Sequence, residues 1–74
     1  MNKPSRHVYR SLSGRWAVRR FGAFRASRLF ETQHDAVKYA RQVARKEGSD
    51  LYVHAFDGTV RQRECYGPVP TAAR

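Results

Sequence analysis

Cysteine is nearly missing from this chain: Cys65 stands alone among 74 residues, so no intramolecular disulfide can form and no cysteine-built metal site can assemble. One free thiol suits a reducing compartment, and the cytoplasm is the expected location. Long apolar runs are missing as well. No stretch approaches the ~20 residues that cross a bilayer, and the opening MNKPSRH has no apolar core of signal-peptide length. Acids are scarce, six against 15 Lys and Arg. Glycine-rich phosphate loops, paired carboxylates and zinc-ligand spacings are absent, so the expectation is a non-enzymatic protein with no cofactor and no metal.

The few chemistry-bearing residues each have a plain structural role open to them. His7 and His54 are expected on one sheet face, where their rings can meet, but no third ligand is placed beside them. His34 falls in a helix first turn and should be solvated. Cys65 shares a strand face with Arg61 and Arg63, which favours the thiolate, yet spacing supplies no general base. Asp35 reads as part of a helix cap, Asp57 as part of a turn, and Glu47 and Glu64 as surface charges.

Positive charge is what the chain does have. The formal net charge is +9 and the isoelectric point about 10.9, and 12 of the 15 cations are Arg. Guanidinium forks pair with phosphate or carboxylate and stack on aromatic planes better than ammonium does. Polyanions are therefore the leading partner class, with an acidic protein, or mere solubility, as the competing explanations. Nine aromatic residues and 41% hydrophobic content exceed what a disordered tail carries. A single small domain is expected, spanning 6–67 between a loose arm (1–5) and a frayed tail (68–74) that follows Gly67-Pro68-Val69-Pro70.

The only sustained helical period runs from Thr32 to Gly48. Ala36, Val37, Ala40, Val43 and Ala44 recur at three- and four-residue spacing and form one apolar stripe. Thr32 is a good N-cap, with Asp35 three residues on, and Gly48 supplies a left-handed stop. Lys38, Arg41 and Arg45 fall away from the stripe, as a solvated face or as a second anion-binding surface.

Before the helix, 6–12 alternates with Val8 and Leu12 on one side and His7, Tyr9 and Ser11 on the other. Ser13-Gly14 marks a turn into a second strand, 15–21, with Trp16 and Val18 sharing a face. A third strand is expected over 24–31, with Phe30 turned inward to staple onto the helix near Val37. After the helix, 51–56 places Leu51, Val53 and Ala55 opposite Tyr52, His54 and Phe56. Asp57-Gly58 is the strongest hairpin signal and is expected to take both residues at positive φ. It leads into 59–66, with Val60 facing inward and Arg61, Arg63 and Cys65 outward.

The order β-β-β-α-β-β predicts an α+β fold: two layers, with an antiparallel sheet of about five strands carrying one helix on one face. A single helix cannot cover both faces. The open one is expected to carry His7, Tyr9, Arg19, Phe21, Tyr52, His54, Phe56, Arg61 and Arg63. Rings interleaved with Arg suit single-stranded nucleic acid, since rings stack bases and guanidinium groups hold phosphates. A homodimer or protein docking site, or a solvated sheet shielded by amphipathic side chains, are the alternatives. Arg19, Arg61, Arg63, Tyr52 and His54 are the candidate nucleic-acid-binding residues, with Lys38, Arg41 and Arg45 as a second surface.

Across 6–68 the chain resembles a bacterial and phage family of small proteins known as a domain of unknown function (family 2188). The likeness lies in His7-Val8, Gly14, Trp16 to Val18, Ala26-Ser27, Phe30, Thr32, Ala36, Ala40-Arg41, Ala44-Arg45, Gly48, Leu51, Val53-His54, Asp57-Gly58 and Tyr66-Gly67. The resemblance implies the fold and adds no activity. Arg19-Arg20-Phe21 and Tyr52 are more basic and aromatic than its usual pattern.

Overall fold

In the computed structural model, which describes residues 4–66, three strands precede the helix and two follow it. They are β1 (Arg6–Arg10), β2 (Trp16–Arg20), β3 (Arg28–Phe30), α1 (Gln33–Glu47), β4 (Asp50–His54) and β5 (Val60–Cys65). The expected tail, and residues 1–3 of the expected arm, lie outside the described residues.

The strands form one five-stranded sheet in the order β3-β2-β1-β4-β5. It is mixed, not antiparallel throughout, because β1 and β4 pair in parallel, Arg6 opposite Leu51 and Val8 opposite Val53. One helix returns the chain to the end at which β3 began. β4 therefore runs with β3, and so with β1, two antiparallel steps away.

Both hairpin loops are built alike. The Ser11 N–H donates to the Arg15 carbonyl at 2.8 Å and the Gly14 N–H to the Ser11 carbonyl at 3.0 Å; Ala55, Thr59 and Gly58 repeat the pattern at 2.6 and 2.9 Å. Each is a three-residue loop whose last residue is a left-handed glycine, Gly14 at φ 90° and Gly58 at φ 94°. Asp57 keeps a negative φ, contrary to the two-residue turn expected there. It instead accepts from the Thr59 N–H and hydroxyl at 3.1 and 2.8 Å, which holds its carboxyl below the usual range.

The helix caps follow the sequence. Thr32 Oγ1 accepts from the Asp35 N–H at 3.1 Å, and Gly48, at φ 71°, donates to the Ala44 carbonyl at 2.8 Å. Ala36, Ala40 and Ala44 are fully buried against Val8, Val18, Leu51 and Val53. Alanine along the contact lets the helix axis approach the sheet closely, while Trp16, Phe30, Val37, Tyr39 and Tyr66 pack around the margin. Phe30 does turn inward, but its ring lies 5.4 Å from that of Tyr39.

Three inward assignments change. Leu12 sits in the first hairpin loop, fully exposed. β3 is only three residues long, because β2 offers just Trp16, Ala17 and Val18 as partners, and Phe24 lies outside it, exposed. Val60 is 54% exposed, because a register shift after Val53 brings it opposite His54 on the open face. The extra residue in that bulge is Arg61.

Candidate functional site

Strand pairing sets one row of side chains across the open face. His7 lies opposite Arg19 on β2 and opposite Tyr52 on β4, and Tyr52 lies opposite Arg63 on β5. The row reads Arg19, His7, Tyr52, Arg63, and strands ~4.8 Å apart put its ends roughly 14 Å from one another. The His7 and Tyr52 rings stack, with centroids 5.0 Å apart and planes 8° from parallel. The Arg63 guanidinium lies 5.5 Å from the Tyr52 ring, and since β1 and β5 flank β4, both faces of Tyr52 are occupied. Arg19 covers Tyr9 at 5.3 Å, and Arg10 covers Phe56 at 3.9 Å. Phe21, 68% exposed, is tilted against His7 at 6.0 Å.

The two histidines meet, as their alternation predicted. His54 Nδ1 lies 3.0 Å from the Gly58 carbonyl oxygen, which can only accept, so this nitrogen carries the proton. Nε2 of neutral His54 then accepts from His7 Nδ1–H at 3.0 Å, and His7 Nε2 accepts from the Ser5 hydroxyl at 2.9 Å. A directed chain thus runs from Ser5 through both rings to the main chain. Burial, then His54, then Arg19 hold the His7 imidazole below its ordinary pKa. Among the described residues no third His, Cys, Asp or Glu joins the pair to make a metal site. A depression of about 220 Å³ lies here, lined by His7, Tyr9, Arg19, Phe21 and His54.

Arg61 is not on this face. The bulge turns it to the helix side, where Nη1 donates to Gln33 Oε1 at 3.0 Å. Arg63 remains, its side chain 56% exposed and 3.5 Å from Asp50. The helix cations Lys38, Arg41 and Arg45 lie within an arc of about 60° on α1 but differ in what they touch. Lys38 borders a groove with Arg28, Phe30, Asp35, Tyr39 and Gln42 on the β3 side. Arg41 is held on the β5 side by a two-pronged pair with Glu64 at 2.9 and 2.7 Å, and Arg45 lies over the Tyr66 ring at 5.5 Å. The Arg41 bonds, then the Tyr66 hydroxyl, hold the Glu64 carboxyl below its ordinary pKa. Glu47 is likewise engaged, by Arg6 at 3.1 and 2.7 Å. Glu47 is the surface charge that the sequence suggests, although paired, whereas Glu64 is half-buried.

Residues 6–66, all of the sheet and helix, match a family described as "Uncharacterized protein conserved in bacteria (DUF2188)". The chain belongs to this family. Over 63 residues, 85% of its length, it is 36% identical to the "Uncharacterized protein YdaT" of Bacillus subtilis (strain 168), and it spans 41% of that protein. No solved structure matches.

In this DUF2188 chain, sequence alternation located the open face but missed three of its parts. Ser5 was assigned to a loose arm, yet its hydroxyl starts the histidine chain and its carbonyl accepts from the Phe21 N–H at 2.8 Å. Leu29, 46% exposed, lies beyond Ala17 on the β3 side, and Val60 lies beside His54. Neither carries a charge or ring that would have singled it out. Together these residues make a surface with cations at two flanks and rings between them.

Proposed function

We propose that this chain is a small basic nucleic-acid-binding accessory protein of the bacterial cytoplasm, a two-layer domain that binds through its open sheet face. The observation that carries the reading is the row Arg19, His7, Tyr52, Arg63, in which two guanidinium groups flank stacked rings on an uncovered surface. Arg19 has no carboxylate partner among the described residues and Arg63 only a long contact with Asp50. Both can contact phosphate, releasing counterions. Lys38 and Arg45 add long-range attraction from the helix layer, whereas Arg41 and Arg61 act within the fold.

The test is fluorescence anisotropy of labelled DNA and RNA at about 50 and about 200 mM salt. Affinity should fall steeply with salt, and each of Arg19→Gln and Arg63→Gln should lower the salt slope by about one. A slope unchanged in both variants would remove the face from the account.

Exposed Phe21, Leu29 and Val60 favour a second reading, in which the face docks an acidic protein or a second copy. Overlaid rows of two copies would oppose Arg to Arg, which disfavours the homodimer. A dimer at micromolar concentration by light scattering, dissociated by Tyr52→Ala, would support it.

A further inference from the structure

The open face was expected to stack unpaired bases, but Tyr52 at the centre of its row already has both ring faces in use. Tyr52 lies between His7 at 5.0 Å and the Arg63 guanidinium at 5.5 Å; Tyr9 is covered on one side by Arg19, and Phe56 by Arg10. At a 5.0 Å separation and 8° between planes, His7 and Tyr52 are stacked with a lateral offset, since two such rings side by side in one plane need more room. They therefore stand upright on the sheet and turn their edges outward. His7 is further pinned by bonds from both nitrogens, to Ser5 and to His54, so freeing its ring breaks two hydrogen bonds as well as the stack. A base seeking to stack on His7 or Tyr52 has to displace these contacts, and what stacking supplies is offset by what it disrupts.

The row that discourages single strands has the dimensions of a duplex groove. The main chains at Arg19 and Arg63 lie roughly 14 Å apart across four strands, and the B-DNA major groove is about 12 Å wide. Released from the Tyr9 and Tyr52 rings that they cover, the flexible guanidinium arms at either flank can reach the phosphates of both banks, with His7 and Tyr52 over the groove between them. The major groove of an RNA duplex is too deep and narrow for side chains to enter in this way. Building on the nucleic-acid reading above, we infer that the preferred ligand is double-stranded DNA, straddled across its major groove by Arg19 and Arg63, and not a single strand stacked on the rings.

The experiment is anisotropy competition at fixed salt, using the full chain and a labelled DNA duplex of about two helical turns. Unlabelled duplex, each of its component strands and the RNA duplex of the same sequence serve as competitors. The expected result is that DNA duplex competes at least about tenfold better than either strand or the RNA duplex, and that Arg19→Gln combined with Arg63→Gln abolishes this preference. Single strands or RNA duplex competing as well as the DNA duplex would overturn the inference and leave the nucleic-acid reading standing. Absence of salt-sensitive binding to the labelled duplex would overturn the inference, and its absence also from labelled single strands and RNA duplex, each titrated directly, would overturn the nucleic-acid reading as well.

Discussion

His7 is the residue at which the face and the stability of the fold meet. Its imidazole titrates below 6.5, held there by burial, by His54 and by Arg19. In the window between that depressed value and 6.5, the unfolded chain binds more protons than the folded one. The stability owed to neutral His7 is thus fully present above about pH 6.5 and is lost as pH falls. An NMR titration should place the His7 midpoint below that of an unstructured histidine, with His54 protonated on Nδ1. A midpoint above 6.5 would contradict the burial of His7 and its placement beside His54 and Arg19. Glu64 acts in a lower window, its contribution present above about pH 4.5 and lost as pH falls through its depressed folded value. Arg41, a third exposed, should lose about 1 kcal/mol or less as Arg41→Met in urea unfolding. Sequence alternation placed Arg19, His7, Tyr52 and Arg63 correctly because each sits in regular strand. It misplaced Arg61 and Val60, because the bulge after Val53 inserts one residue and reverses the faces beyond it.

The helix was the most legible element, since its stripe, its threonine cap and its glycine stop are all local features. Gly48 sits at φ 71° with the Tyr66 carbonyl 3.4 Å from where a Cβ would lie, so Gly48→Ala should cost about 1 kcal/mol. Ser49, next in the chain, is 2% exposed, and among the described residues its Oγ has no hydrogen-bond partner. Ser49→Ala should be neutral or slightly stabilising, as chemical denaturation will register, because it removes a buried group that gains nothing. Leu51, the largest fully buried side chain, should cost about 2–5 kcal/mol as Leu51→Ala. Trp16→Ala should cost less than a core tryptophan would, because Trp16 packs at the margin of the cluster, only partly buried. The parallel β1–β4 pairing was within reach of the sequence. Three strands and one returning helix fix the direction of β4, but period-two patterning carries no sign of which strand it joins.

At the scale of the whole molecule, an excess of nine positive charges surrounds a small core of valine, leucine and alanine. Four of the six acids are paired to Arg6, Arg15, Arg41 and Arg63, the Asp57 carboxylate closes a turn, and Asp35 joins the helix cap through its backbone N–H. The surplus cations therefore dominate the outside, on the helix and on the sheet alike. Composition announced that surplus, but only the paired strands show which cations share a face with stacked rings. The most direct measurement is backbone amide NMR of the labelled chain titrated with a short DNA duplex. The account predicts the largest shift changes at His7, Arg19, Tyr52 and Arg63, with the helix amides of Lys38, Arg45 and Lys46 nearly unmoved. Changes concentrated on those helix residues, with the sheet row silent, would contradict it.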